Sequence, residues 1–374
     1  MTFSRSTVAL AIAGLLLLTG CANTSGESES ESQALPASFV QDVRTTTAEV
    51  MAEYDVPGAV VSICAPGYAD TVITEGLADT QAATPMTADL VWPIRSQTKS
   101  FTVTLILQLA DEGKLSLDDT IDQYVAGVPN GDQITLRQLA EMTSGVPEYT
   151  TEAWLKDYLA DETRNFTTSE LIDYAVAEPA MFKPGKKAVY VNTSTLLLGQ
   201  VVEEVEGRPF PEALQRKILD PLELTETGYP NSYDDWSGPH PTGYQPDDAG
   251  DLTAQDNNFT VFGPAGAMTS TVSDMCRWGL ALATGELLDE DTQAARLQGQ
   301  PLKEGPEYDS YGQGIGELSG FIGHTGEGFG HTVLVMADPE TGTTAVINMN
   351  IAQAEKHVPT TLFRELAQPL STLS

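Results

Sequence analysis

The 374 residues leave room for one large domain or two ordinary ones, and 41% hydrophobic with 19% charged residues is a globular composition. Nineteen basic against 53 acidic residues leave a net charge of −34. That charge repels polyanions and argues against nucleic acid as a partner; otherwise it describes a solvated, salt-tolerant surface.

Arg5 is the only charge in the first twenty residues, and Val8 to Leu18 is a short apolar run. This is the layout of a secretory signal, too short to span a membrane comfortably. Leu18-Thr19-Gly20-Cys21 resembles a bacterial lipoprotein processing site. The expectation is a signal peptide over 1–20, lipidation at Cys21 and anchoring at the outer face of the bacterial cell membrane. Plain secretion is the alternative. Residues 21–35, rich in Ser and Glu, read as a flexible tether, with the folded domain over 36–374.

Ser38 to Tyr54 has helical apolar spacing and stops near Pro57-Gly58. Ala59 to Cys64 and Thr71 to Glu75 are β-rich and predict a hairpin around Pro66-Gly67. Lys99 to Leu109 is apolar nearly all round, as a buried helix is, with Gly113 as its stop. The middle, from about Thr120 to Leu288, holds several helical patterns, among them Thr195 to Val205. His331 to Ala337 and Thr343 to Met349 predict strands joined by the turn Asp338 to Gly342. A last helix is predicted over Val358 to Leu366. Strands at both ends with helices between predict an α+β fold: an antiparallel sheet from the two chain ends, flanked by helices, with a mainly helical subdomain from the middle. Cys64 and Cys276 could pair in an exported protein, but one sits in a strand-like run and the other in a helix-like run. Two buried free thiols are the expectation.

Ser96-Gln97-Thr98-Lys99 places an amine within reach of a hydroxyl, since i and i+3 share a helix face. Serine needs a base, and a desolvated lysine can be one. The motif alone is weak, and by itself reads first as a surface serine and lysine at a helix start. Tyr190-Val191-Asn192 puts a phenol and an amide on one side of an extended segment, one able to relay protons, the other to hold a substrate amide. Tyr229-Pro230-Asn231 repeats the pattern in a loop-rich context. His324-Thr325-Gly326 precedes a terminal strand and offers a titratable ring, a hydroxyl and a glycine that lets substrate backbone approach. The four histidines lack metal-ligand spacing, and no nucleotide-binding glycine pattern matches, so no metal or cofactor is expected.

In this order the three motifs resemble those of the serine β-lactamase and D-alanyl-D-alanine carboxypeptidase superfamily, in particular its class C β-lactamases, secreted D,D-carboxypeptidases and related esterases. Leu107 to Leu115, Ile134 to Leu139, Thr143-Ser144-Gly145, Pro221 to Leu224, Pro264-Ala265-Gly266 and Tyr311 to Gly314 extend the resemblance over about Pro57 to Met349. It implies a β-lactamase/transpeptidase-like fold and an acyl-enzyme on Ser96, with Lys99 and Tyr190 sharing proton transfer. It further implies an oxyanion hole from the backbone N–H groups of Ser96 and Glu327, with Asn192, His324, Thr325 and Gly326 binding substrate. The expected activity is D-alanyl-D-alanine carboxypeptidase-like on cell-wall peptides. Esterase or β-lactamase activity is the alternative, and a lipid-anchored penicillin-binding or sensor protein the non-enzymatic one. Two departures from the carboxypeptidase pattern stand out. No arginine comes shortly after Tyr311-Gly312-Gln313-Gly314, where the chain reads Ile315-Gly316-Glu317-Leu318-Ser319, and Glu327 adds a negative charge beside the oxyanion hole.

Overall fold

Strand runs from the two chain ends join in one eight-stranded antiparallel sheet. The computed structural model describes residues 32–353 and 356–373. The expected signal peptide, Cys21 and the first part of the tether lie outside those residues. From the N-terminal side come β1 (Gly58–Cys64), β2 (Thr71–Asp79) and β3 (Thr84–Pro85). From the C-terminal side come β4 (Ser310–Tyr311), β5 (Gly316–Leu318), β6 (Phe321–Gly328), β7 (His331–Ala337) and β8 (Thr344–Met349). The order is β3-β2-β1-β8-β7-β6-β5-β4, and the two halves meet where Ala59 pairs with Met349.

Both faces of this sheet are covered, so its central strands are buried continuously, and successive side chains enter opposite cores. Val60, Val333, Val335 and Val346 belong to one apolar cluster. Val61, Leu334, Met336 and Ile347 belong to the other. Helices α1 (Ala37–Glu53) and α5 (Val358–Leu370) pack on the second face. The first face receives α4 (Val272–Thr284). Its cluster continues into α2 (Thr98–Asp111) and α3 (Asn192–Glu206), the long helices of the middle segment. Eleven of the fourteen residues of α2 are buried, as its all-round apolar sequence requires. The helix stops at Gly113, where φ is +66°. Among the described residues no helix is long and apolar enough to cross a membrane.

Three expectations are corrected. Cys64 and Cys276 form a disulfide, Cα–Cα 6.0 Å. The reason is packing: α4 lies against β1 and β8, which brings a helix face to the end of a strand. By loop entropy, closing a 212-residue separation stabilises the fold by about 5 kcal/mol. The tether ends earlier than expected, because Gln33 already exchanges backbone hydrogen bonds with Gly67 and Ala69 and Leu35 is buried. Finally, His324-Thr325-Gly326 does precede the strand β7 but itself lies in a strand, β6, where none was expected; three glycines among eight residues hide that strand from propensity.

Candidate active site

Ser96 sits in a short 3-10 turn, Arg95–Gln97, that runs directly into α2. The first hydrogen bond of that turn runs from Gln97 N–H to Ile94 C=O. The Ser96 N–H therefore comes before any intrahelical partner. Arg95 adopts φ +50°, a left-handed backbone that non-glycine residues avoid and that collects at functional sites. Its guanidinium is buried. It donates to Gly328 C=O at 3.1 Å and to Asn257, and lies over the rings of Phe259, Phe262 and Phe329.

Lys99 is wholly buried, and its Nζ touches Ser96 Oγ at 3.0 Å, Asn192 Oδ1 at 2.7 Å and Ala265 C=O at 2.8 Å. Burial pulls its pKa down to about 7, opposed by the charge of Glu148. Protonated, the amine spends its three hydrogens on these three oxygens. Neutral, it keeps two for the amide and carbonyl oxygens, which can only accept, and turns its lone pair to the Ser96 hydroxyl. In that state the amine can take the hydroxyl's proton, as a general base does for a serine.

Asn192 opens α3, and its backbone N–H and Nδ2 donate to Glu148 Oε2 at 2.6 and 3.3 Å. Glu148 thereby fixes the amide whose oxygen receives Lys99. Desolvation raises the Glu148 carboxyl, against the pull of the Asn192 backbone N–H and the Lys99 charge. Tyr190 packs under the Lys99 amine, 5.0 Å from Nζ to the ring centroid. Its hydroxyl is buried and, among the described residues, outside hydrogen-bond geometry with any group. Burial, then the neighbouring Tyr311 and Tyr308, push its pKa well up, with the nearby Ser96 hydroxyl pulling the other way. It is a phenol, able to relay a proton but not to begin by taking one. Tyr229 packs on Phe210, and Asn231 is exposed; neither lines the cleft. Of the two Tyr-x-Asn patterns, the structure brings Tyr190 and Asn192 to the cavity that Ser96 lines and leaves Tyr229 and Asn231 away from it.

The opposite wall is β6. Strand β5 pairs only with Phe321, Ile322 and Gly323, which leaves the edge beyond them open to the nucleophile turn. The Thr325 N–H leaves through that edge to Tyr308 Oη, 2.7 Å. By the two-residue period of a strand the Glu327 N–H points the same way. Gly326 allows the approach: a Cβ there would stand 2.5 Å from Ile94 O and 2.8 Å from Arg95 Cβ. Ser96, Tyr190, Asn192, Thr325, Gly326 and Glu327 all line one cavity of about 430 Å³. Glu327 opens onto it, yet loss of hydration between the walls lifts its carboxyl to about 7.

His324 is the exception, and its expected role is corrected. It is fully buried, with Nε2 3.1 Å from Tyr311 Oη and Nδ1 2.6 Å from Thr325 O and 3.3 Å from Tyr308 Oη. Burial, with Lys99 adding to it, lowers its pKa to about 3. A neutral ring behind the wall offers no cation to a substrate; one residue of strand alternation turns it away from the cavity that Thr325 lines. Glu148, Arg95, Tyr308 and His357 were not singled out from the sequence. Arg95 and Glu148 do carry a signal, being charges set into apolar stretches (Trp92-Pro93-Ile94-Arg95 and Val146-Pro147-Glu148-Tyr149) beside Ser96 to Lys99 and Thr143 to Gly145.

The sequence model of the family described as Beta-lactamase matches residues 43–368. The chain belongs to the beta-lactamase family. The chain is similar to a beta-lactamase of Pseudomonas fluorescens, 29% identical over 189 residues, 50% of each chain. Protein flp of Staphylococcus aureus is 27% identical over 194 residues, 50% of this chain and 38% of that protein. The chain thus spans half or less of the length of these curated relatives. Among solved structures, a D-stereospecific amidohydrolase from Streptomyces sp. superposes with a TM-score of 0.76 at 27% identity, covering 89% of this chain and 98% of the other. The fold is that of the beta-lactamases and transpeptidases, and the family's members of this kind are serine hydrolases.

Proposed function

We propose that the chain is an acyl-enzyme hydrolase of small D-amino-acid-containing amides, peptides and esters, with Ser96 as nucleophile. The observation that carries this reading is the Lys99 amine, buried, near neutrality in pKa, and seated between two pure acceptors with the Ser96 hydroxyl as its third partner. In acylation the Ser96 proton passes to Lys99 as Oγ bonds to the substrate carbonyl carbon. The oxyanion that forms faces the N–H groups of Ser96 and Glu327. Tyr190 gives its proton to the leaving nitrogen or oxygen and recovers one from Lys99. Water then attacks the Ser96 ester with Lys99 again as base, releasing the acid.

Similarity to the Streptomyces amidohydrolase supports the D-amino-acid preference. Two observations favour amides and esters over the D-Ala-D-Ala carboxypeptidase substrate. The buried neutral His324 supplies no charge for a terminal carboxylate, and the stretch Ile315 to Ser319 that follows Tyr311 to Gly314 holds no arginine. Export and anchoring through Cys21 belong to the same proposal, and the Cys64–Cys276 disulfide supports an oxidising compartment. The test is fluorophosphonate labelling with peptide mapping, joined to kcat/KM for a D-aminoacyl amide, a p-nitrophenyl ester and a D-Ala-D-Ala peptide. The expected result is label on Ser96 and amide and ester ahead of the free-carboxylate peptide. Label elsewhere overturns the site; the reverse ranking overturns the substrate class.

A further inference from the structure

His357 lies on α5, far from the motif residues in sequence, yet it lines the catalytic cavity. It is the N-cap residue of that helix, its side chain accepting from the Thr360 backbone N–H at Nδ1, 3.3 Å, with Thr360 Oγ1 at 2.8 Å. A backbone N–H can only donate, so Nδ1 carries no proton, and the neutral ring holds its hydrogen on Nε2. Nε2 stands 3.2 Å from Gly326 C=O, which can only accept. The tautomer is thus fixed at both ends by backbone groups.

Gly326 C=O is not an arbitrary acceptor. It shares one peptide unit with the Glu327 N–H, and in a trans peptide the two point in opposite directions; no cis bond occurs among the described residues. A donor on the carbonyl fixes the plane of the unit and polarises its N–H, as hydrogen bonds in a chain strengthen one another. We propose that His357 is a positioning residue of the oxyanion hole, aiming the Glu327 N–H at the developing oxyanion through Gly326 C=O. The chain of groups runs from the first turn of α5, through the imidazole, to the reacting oxygen. Burial keeps the ring neutral, its pKa drawn down to about 4 against the pull of Gly326 and Val333, so the arrangement holds across the working pH of Lys99. Arg95 holds the next carbonyl but one, Gly328 C=O, and keeps the strand end against the nucleophile turn.

This inference rests on the proposed acyl-enzyme at Ser96, and the experiment separates the two. His357→Phe keeps an aromatic ring but loses the donor; His357→Gln keeps a donor amide of similar reach. On a p-nitrophenyl ester, His357→Phe is expected to lower kcat about 10- to 100-fold, less than the ~10²–10³ for a lost oxyanion donor, with KM within about threefold. The affinity of a small neutral boronic acid, which forms a tetrahedral adduct on the serine, should fall by the same factor. His357→Gln should recover most of both. An unchanged kcat, a loss confined to KM, or equal losses in the Phe and Gln variants at unaltered Tm would overturn the proposal. If His357→Phe melts at the assay temperature, the Gln variant decides: near wild-type kcat upholds the donor role, a kcat as low as that of Gly326→Ala refutes it. Failure of the underlying reading shows separately, as fluorophosphonate label away from Ser96 in the wild-type protein.

Discussion

The two walls of the cleft work by different means. The helical wall, from α2 and α3, contributes side chains: the Ser96 hydroxyl, the Lys99 amine and the Asn192 amide, locked by direct contacts. The strand wall, β6, contributes backbone: an N–H aimed from Glu327 and a glycine that brings it close, while its most reactive-looking side chain, His324, faces away. Side-chain chemistry tolerates no change of residue type. Backbone chemistry tolerates changes of side chain and fails when the strand is displaced.

Substitutions on the two walls should therefore differ in kind. The largest effect is expected for Lys99→Met, which should slow acylation about 10³-fold, within the range of a lost general base. It should also make the protein more stable, by about 1 kcal/mol or more near pH 6, because a buried cation is replaced by an apolar chain of similar length. The sign follows from the depressed pKa. Between about 7 and the ordinary 10.5 the unfolded chain holds a proton that the folded one has released, so wild-type stability rises with pH across that window. Thermal melts from pH 6 to 10 should show that slope in the wild type and lose it in Lys99→Met; a melting temperature that drops at pH 6 would contradict it. The acylation rate of the wild type should rise with an apparent pKa near 7.

Tyr190→Phe should slow acylation by about 10², while Tyr229→Phe leaves the rate within about twofold; the opposite pattern would transfer the proton relay to the wrong loop. On the strand wall, Gly326→Ala should lower kcat about tenfold or more while the pH profile keeps its Lys99 limb, since the added Cβ pushes the strand off the turn without touching the base. A shifted profile would mean that the two walls are not separable. The smallest effect is expected for Glu327→Gln. Its carboxyl ionises near 7, and the charge then opposes a nearby oxyanion. The variant should gain about two- to threefold in kcat above pH 8 and little below pH 6; equal rates throughout would place that charge too far away to matter.

The same division decides what could be read from the sequence. Ser96, Lys99, Tyr190 and Asn192 are legible because their chemistry requires those residue types at those spacings. The central strands β1, β7 and β8 are legible because burial on both faces writes a continuous apolar run. Strand β6 is not: Gly323, Gly326 and Gly328 remove the propensity signal for the sake of close approach, and without the strand the inward turn of His324 could not be seen. His357 lies far from the motifs in sequence and touches a backbone carbonyl, a contact open to many donor side chains, so no motif marks it; Glu148 left only the weaker signal of a charge in an apolar stretch. The disulfide depends on how α4 lies on the sheet, a long-range fact that local patterns do not contain.

The pairing of Ala59 with Met349 also has a consequence in time. The first three strands emerge early in synthesis, but their central partner β8 is among the last segments made. Until then β1 presents an unpaired apolar edge, a hazard for misassociation. Contacts of such sequence separation make folding slow, and the 212-residue disulfide loop can close only after α4 has docked. A chain arrested or trimmed before Thr344 would therefore lose more than its last strand. It would lack the partner that joins the two halves of the sheet, and nascent chains of that length should be sensitive to protease along their whole N-terminal third.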